Sequence, residues 1–243
     1  MEQALRLASE GADLIDVGGE STRPGAPEVT EEEELRRVIP VLTRLARARF
    51  PVPVSIDTSK AAVARAALDA GALLVNDVRA LADPAMARVV ADAGAPVVLM
   101  HMRGTPRDMK ERARYQDLLG EVRAELRDAM DRAVGAGVRE DRILLDPGIG
   151  FAKTAEQSVE VLGRLPELLS LGRPLLVGPS RKSFIGAITG APPAERLAGT
   201  LAAVTAAVLG GAAFVRVHDV AASRQAARVA AALRASGGSR ADH

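Results

Sequence analysis

The stretch PVSIDTSKAAVARAALDAGALLVND, residues 53–77, contains one complete strand–helix–strand unit. Two short apolar runs, one ending at Asp57 and the other at Asn76, enclose a segment (61–70) whose apolar residues recur at helical spacing. Strands joined through a helix pair in parallel, in a sheet that helices cover on both faces. The unit therefore predicts a protein of the α/β class.

The same pattern recurs along the chain. Seven runs show it: ADLIDVG (12–18), PVSIDTS (53–59), LLVND (73–77), VVLMHM (97–102), ILLDPG (143–148), LLVGPS (175–180) and FVRVHD (214–219). Helical segments lie between them, among them 31–48, 61–70, 117–136 and 195–209. The repeat averages about 33 residues, as in a (β/α)8 barrel of about 250 residues.

We therefore predict a single TIM (β/α)8-type barrel domain over residues 1–243, with a disordered tail at 236–243. Seven of the eight strands are present in this interpretation, and the missing unit is the first, because residues 1–11 read as the helix before ADLIDVG. Either the chain is truncated or its start is misassigned, or the barrel is open and exposes two strand edges.

Polar side chains cluster where the predicted strands end. In α/β barrels the loops at these ends converge on one opening, the mouth, which carries the active site. Because side chains alternate along a strand, residues two apart share a face. The alternation predicts that five side chains point into one pocket: Asp57, Asn76, Asp146, Arg216 and His218.

Composition excludes several classes of protein. Lys plus Arg is 32 and Asp plus Glu is 31, a net charge of +1, which argues against nucleic-acid binding by bulk electrostatics. The absence of Cys excludes disulfides and thiolate metal sites, and it fits a reducing cytoplasm. The longest uncharged run, 197–215, is broken by two glycines. It predicts a packed helix, a turn and a buried strand rather than a membrane span.

The loop GESTRPGAPE (19–28) is either a simple turn or a mobile lid over the mouth. Its length and polarity favour a lid that carries Thr22 and Arg23, with Pro24 restricting its freedom.

The segment GPSRKSFIG (178–186) begins a helix, where free backbone N–H groups bind anions. Ser183 could instead be a plain cap for that helix. Lys182 is unusual in a chain with 28 Arg and only 4 Lys, and a flexible point charge could reach into the pocket.

In LDPGIGFAK (145–153), glycines allow close backbone approach between Asp146 and Phe151. A carboxylate beside a flat ring surface can bind a guanidine-like edge through two parallel hydrogen bonds, and a buried Asp without a local partner would be costly. The amide of Asn76 offers a donor and an acceptor for such a heterocycle.

Two further motifs contain histidine. In RVHD, Arg216 and His218 would repel each other unless an anion lay between them, which points to a phosphate or diphosphate group. His101, between Met100 and Met102, fits core packing better than a metal site, with either Met as a possible pocket wall.

Taken together, these motifs make the sequence resemble the dihydropteroate synthases, a family of pterin-binding barrels. The resemblance rests on DVGGESTRPG (16–25), SIDTSK (55–60), ND (76–77), LMHMRGTP (99–106), LDPGIGFAK (145–153), GPSRKSFIG (178–186) and RVHDV (216–220). It implies the condensation of 6-hydroxymethyl-7,8-dihydropterin diphosphate with p-aminobenzoate, giving 7,8-dihydropteroate and diphosphate.

The resemblance also implies roles for individual residues. The pterin would be bound by Asp57, Asn76, Asp146 and Lys182, of which Asp57, Asp146 and Lys182 would be catalytic. Thr22, Ser183 and the helix start would receive p-aminobenzoate near Phe151, and the diphosphate would lie against Arg23, Arg216 and His218. A Mg²⁺ ion, a homodimer and a cytoplasmic location are implied as well. The family's first strand and its loop with a Mg²⁺-contacting Asn have no counterpart here, so the metal ligand is unknown.

Two alternatives remain open at this point. A pterin-dependent methyltransferase of the same barrel family would need a pterin pocket but no diphosphate-binding groups, and the SRKS and RVHD motifs disfavour it. A pterin-binding remnant without catalytic activity would fit the absence of the first strand.

Overall fold

The computed structural model describes residues 1–23 and 25–238. Seven strands run through these residues: β1 (Ile15–Gly18), β2 (Val54–Asp57), β3 (Leu74–Asp77), β4 (Val97–Met100), β5 (Ile143–Asp146), β6 (Leu176–Val177) and β7 (Phe214–Val215). Strands β1 to β5 form one parallel sheet in chain order, and β6 pairs in parallel with β7. A bridge between Leu145 and Leu175 joins the two sheets. The result is an α/β barrel of the predicted (β/α)8 type.

Helices connect the strands and cover them from outside: α1 (Glu2–Ser9), α2 (Glu31–Arg47), α3 (Ala61–Asp69), α4 (Pro84–Ala93), α5 (Leu118–Gly135), α6 (Ala155–Gly163), α7 (Ser183–Thr189), α8 (Leu197–Leu209) and α9 (Val220–Gly238). Short 3-10 turns lie at Glu140–Arg142, Leu165–Leu171 and Pro193–Glu195. The last of these explains why α8 begins two residues later than predicted.

The helix ends follow local chemistry. At the start of α2, the Thr30 hydroxyl accepts a hydrogen bond from the backbone N–H of Glu33. Four glutamates in the first turn interact favourably with the positive end of the helix dipole. A reciprocal capping box between Thr154 and Gln157 begins α6. Gly94, in a left-handed conformation, ends α4.

The hydrophobic core lies between the sheet and the helices. Side chains of the central strands are fully excluded from solvent, among them Ile56 on β2 and Leu99 on β4. Strand β7 differs, because Phe214 is 43% exposed. The prediction of a buried strand at this position is therefore wrong, since among the described residues β7 has a pairing partner on one side only.

Strands β1 and β7 are not paired with each other in the part of the chain that the structure describes. A groove of about 1140 Å³ lies between them, lined also by residues of α1 and α9. The two unpaired edges of an open barrel were expected from the seven runs.

The predicted disorder at 236–243 is wrong for its first residues. Helix α9 runs from Val220 to Gly238, so the helix includes residues 236–238. Residues 239–243, and Pro24 in the predicted lid, lie outside the described residues. Within 1–23 and 25–238, no helix combines the length and the apolar character that crossing a bilayer requires.

Replacing Leu99 with Ala should destabilise the protein by about 2–5 kcal/mol, because the cavity left in a fully buried strand cannot collapse. The matched control is Leu73→Ala, which removes the same atoms from a side chain that is 60% exposed. Its effect should stay within about 0.5 kcal/mol. Urea denaturation of both variants measures the difference, and equal losses would contradict the core assignment.

Candidate active site

The strand register brings polar side chains from separate segments to one edge of the sheet. Gly18 pairs with Asp57, and Asp57 with Asn76, while Asp146 pairs with Met100. A cavity of about 50 Å³ lies at this edge. Its lining consists of Thr22, Asp57, Asn76, Val78, Met100, Asp146, Ile149, Phe151, Gly178, Ser180, Lys182, Arg216 and His218. Eight of the ten predicted site residues therefore face one space.

The other two, Arg23 and Ser183, do not line the cavity. Both are exposed, and each follows a lining residue directly in the chain, Arg23 after Thr22 and Ser183 after Lys182. Ser183 is the first residue of α7 and not its cap, because the N-cap position is occupied by Lys182. Their assignments to p-aminobenzoate and diphosphate stay predictions.

Asp16 on β1 belongs to this cluster and was missed by the sequence analysis. Its carboxylate accepts hydrogen bonds from Ser55 Oγ at 2.6 Å, from Asn76 Nδ2 at 3.1 Å and from Arg216 Nε at 2.7 Å. The available signal was a charged residue inside the apolar run ADLIDVG. Such a residue in a buried strand requires donors from neighbouring strands.

Arg216 lies between two carboxylates. Its Nη2 donates to Asp57 Oδ2 at 2.9 Å, in addition to the contact with Asp16. Burial and the adjacent charge of Asp16 raise the pKa of Asp57 to about 7, although Arg216 acts in the opposite direction. The positive charge of Arg216 is thus balanced by protein groups, and the anion predicted between Arg216 and His218 is not needed to hold them together.

His218 lies beside Ser180. The Ser180 hydroxyl accepts the backbone N–H of His218 at 3.2 Å and lies 2.9 Å from Nδ1, to which it can donate. Burial lowers the pKa of His218, and the nearby charges of Arg181 and Arg216 lower it further. The ring is therefore neutral at pH 7, which removes the repulsion expected from the sequence.

Asp146 ends β5 at a tight turn. Its Oδ1 accepts the backbone N–H of Gly148 at 2.7 Å, so the carboxylate has a local partner, contrary to the prediction. Gly148 has φ +68°, and a Cβ there would come within 2.0 Å of the His101 carbonyl oxygen. Only glycine fits this turn. Burial raises the pKa of Asp146, whereas that hydrogen bond and the charge of Lys182 lower it.

Lys182 is held opposite Phe151. Its Nζ lies 3.9 Å from the centre of the Phe151 ring, within the range of a cation–π contact. Arg196 orients the turn that carries Lys182, because its Nη1 donates to the carbonyls of Arg181 and Lys182 at 3.1 and 3.3 Å. Burial lowers the pKa of Lys182 to about 8, against the charge of Asp146.

The predicted lid is anchored at its base. Glu20 accepts the backbone N–H of Val29 at 2.8 Å and pairs with Lys60 Nζ at 2.6 Å. Lys60 in turn pairs with Glu34 at 2.6 Å, and Glu34 is fully buried. Farther along, the Gly25 N–H donates to the Pro106 carbonyl at 3.2 Å. The loop after β1 is therefore attached both to α2 and to the loop after β4.

The chain does not offer a ready set of Mg²⁺ ligands in the described ranges. No group of three or more His, Cys, Asp or Glu side chains there could hold a metal ion. The two adjacent carboxylates of the pocket, Asp16 and Asp57, are both bound by Arg216. The described residues therefore supply no preformed set of three acidic or histidine ligands, and Mg²⁺ stays an expectation of the family resemblance.

Comparison with known proteins agrees with this geometry. The family model of pterin binding enzymes matches residues 1–218. A dihydropteroate synthase of Synechocystis is 52% identical over 235 residues, which cover 96% of this chain and 81% of that protein.

Solved structures agree as well. A Yersinia pestis dihydropteroate synthase in complex with a sulfonamide drug superposes with a TM-score of 0.93 at 45% identity, covering 96% of this chain and 85% of the other. The Xanthomonas albilineans dihydropteroate synthase in complex with 7,8-dihydropteroate gives a TM-score of 0.87 at 46% identity, covering 96% and 84%. Because the family model matches most of the sequence and the fold is shared with solved relatives, the chain belongs to the pterin-binding enzyme family, among the dihydropteroate synthases.

Proposed function

We propose that the pocket condenses 6-hydroxymethyl-7,8-dihydropterin diphosphate with p-aminobenzoate, giving 7,8-dihydropteroate and diphosphate. The observation that carries the proposal is the composition of the cavity lining. Asp57, Asn76 and Asp146 offer carboxylates and an amide, while Lys182 and Arg216 offer cations in the same space. A similar protein bound to 7,8-dihydropteroate supports the choice of product.

The flat pterin would be held by its polar edge. Asp146 is buried at the end of β5 with one oxygen on the Gly148 N–H, which leaves lone pairs for the N–H donors of the pterin. A guanidine-like edge suits a carboxylate because two parallel hydrogen bonds fix its orientation. Asn76 adds an amide from β3, and Lys182 provides a donor from the opposite wall.

Substrate entry requires a rearrangement of Arg216. The free volume of about 50 Å³ compares with roughly 30 Å³ for one water molecule, so a bicyclic ring needs more space. Arg216 has room to move, because 47% of its side chain is exposed. We infer that the pterin replaces Arg216 on Asp57 and that the freed guanidinium turns to the diphosphate.

The reaction is a substitution at the exocyclic methylene of the pterin. The carbon–oxygen bond to the diphosphate breaks, and Arg216, His218 and Arg23 stabilise the charge on the departing group. The carbon becomes cationic and shares its charge with the pterin ring, where the carboxylates of Asp57 and Asp146 offset it. Charged groups that are already in position lower the barrier to this charge separation, because they need not reorient during the reaction.

The amine of p-aminobenzoate then forms the new carbon–nitrogen bond and releases a proton to diphosphate or water. In this proposal Thr22 and Ser183 orient the carboxylate of this substrate at the start of α7, so that its amine is held close to the reacting carbon. The loop that carries Thr22 would close over the pocket and exclude water, which competes for the cation.

The remaining expectations of the family resemblance belong to the same proposal. We propose a homodimer located in the cytoplasm. Mg²⁺ stays a prediction of the resemblance alone, and no step above depends on it.

Replacing Lys182 with Ala should lower the rate of dihydropteroate formation by about 100-fold or more, the usual cost of removing one preorganised donor. Lys110→Ala is the matched control, because Lys110 is an exposed lysine outside the cavity lining. Product formation from p-aminobenzoate measures the rate, and thermal denaturation confirms that both variants fold. Normal turnover in a folded Lys182→Ala variant would contradict the assignment.

The pH profile should report the protonation of Lys182. Because burial lowers the pKa of this ammonium to about 8, kcat/KM for the pterin substrate should fall as the pH rises through that value and the positive charge is lost. Lys182→Arg keeps its charge in this range, so the alkaline fall near pH 8 should be absent from its residual activity. A profile with the same alkaline fall in both proteins would assign it to another group.

A further inference from the structure

A second buried lysine lies behind the pocket. Lys153, at the end of the loop after β5, is only 9% exposed and is not among the residues that line the cavity. Its Nζ lies 2.8 Å from His101 Nδ1 and 3.2 Å from the carbonyl oxygens of both Gly148 and Phe151. Three acceptors therefore match the three protons of the ammonium.

The neighbours of His101 define its protonation. Because Nδ1 accepts from Lys153, the ring proton is on Nε2, which donates to Glu125 Oε2 at 3.1 Å. Burial lowers the pKa of His101 to about 4, and the charge of Lys153 acts in the same direction. A neutral imidazole thus connects the ammonium of Lys153 to the carboxylate of Glu125. Glu125 is also bound by Arg103, whose Nε donates at 2.9 Å.

This connection holds the loop that carries two of the pocket residues. The N–H of Gly148 donates to Asp146, and the carbonyl on the other side of the same residue accepts from Lys153, so the ammonium restrains the residue whose N–H orients Asp146. The carbonyl of Phe151 is fixed in the same way, and its ring lies against Lys182. Loss of the ammonium would leave two buried carbonyls without this donor.

Simple packing is a poor explanation for a lysine at this position. Burial lowers the pKa of Lys153 to about 7, although the charges of Asp146 and Glu125 raise it, so the charged form is held at a cost in free energy. An uncharged side chain of similar length would avoid that cost. However, such a side chain could not donate the hydrogen bonds that Lys153 makes to the loop.

We propose that Lys153 is a positioning residue, which through His101 and the backbone of Gly148 and Phe151 holds Asp146 and Phe151 in the geometry that binds the pterin. The inference rests on the proposed function, since it assigns Asp146 to the pterin. Lys153 itself touches no substrate and acts through the loop.

The test measures binding of 6-hydroxymethylpterin by its own fluorescence, in the full chain and separately from turnover. Lys153→Met keeps an unbranched side chain as far as Cε and removes the ammonium with all three donors. We expect its Kd for the pterin to rise at least about tenfold, the change that corresponds to one hydrogen bond to a charged group. Lys110→Met, in an exposed loop position, is the matched control and should leave the Kd unchanged.

A second pair of variants keeps the proposal falsifiable if Lys153→Met fails to fold. His101→Leu removes the acceptor for Lys153 and should weaken pterin binding, whereas His101→Gln restores an acceptor and should recover most of the affinity. A purely structural role would reduce the folded fraction and the maximal rate but leave the Kd of the folded molecules unchanged.

The outcomes are separable. Suppose that the unmodified chain forms dihydropteroate and that Lys153→Met binds the pterin with the same Kd as the unmodified chain. The positioning role is then wrong, while the proposed function stands. If neither Lys153→Met nor His101→Leu folds, the group contributes to stability and the positioning role is again wrong. If the unmodified chain neither binds the pterin nor forms product, both proposals fall together.

Discussion

One carboxylate, that of Asp16, organises the pocket. It accepts hydrogen bonds from Ser55 on β2, from Asn76 on β3 and from Arg216 just after β7. A carboxylate in a buried strand is stable only with such donors, so the position of each donor is fixed by the need to satisfy it. The ion pair between Asp16 and Arg216 also connects the ends of β1 and β7, two strands that share no backbone hydrogen bonds in the described residues. The Asp16 carboxylate therefore determines where Arg216 lies before any substrate arrives.

In this arrangement the positive charges of the pocket lie close to its carboxylates. Arg216 is shared between Asp16 and Asp57, and Lys182 lies over the Phe151 ring under the influence of Asp146. A substrate that brings both N–H donors and a diphosphate can satisfy the two kinds of group at once, because the donors replace the arginine on Asp57 and the anion receives the freed guanidinium. A neutral pterin without the diphosphate would displace Arg216 without offering it a new partner. In the proposed exchange, the diphosphate therefore gives Arg216 a partner that the unactivated ring does not supply.

The parts of the site that the sequence predicted are those that follow from a single geometric rule. Strand alternation has a period of two, which predicted that Asp57, Asn76 and Asp146, near the carboxyl ends of the parallel strands β2, β3 and β5, share one side. Asp16 was missed because its importance depends on partners 39 to 200 residues away in the sequence, which no local pattern contains. The repulsion predicted between Arg216 and His218 is absent because burial keeps His218 neutral and because Arg216 is balanced by carboxylates on β1 and β2, which the RVHD motif does not contain. Strand β7 is exposed because, among the described residues, it pairs with a neighbouring strand on one side only. The apolar composition of the segment FVRVHD does not reveal this.

The choice between lysine and arginine carries more information in this chain than the total charge does. Of the 32 basic residues only 4 are lysines, and three of these stabilise loops or line the pocket at the mouth. Lys60 joins Glu20 to the buried Glu34. The Nζ of Lys153 donates to three acceptors that surround it, and Lys182 lines the cavity. An ammonium directs its donors from a single compact centre and can satisfy acceptors that surround it, whereas a planar guanidinium needs its acceptors at the periphery of a fork. The acceptors around Lys60 and Lys153 converge on one nitrogen atom, an arrangement that an ammonium matches and a planar guanidinium does not.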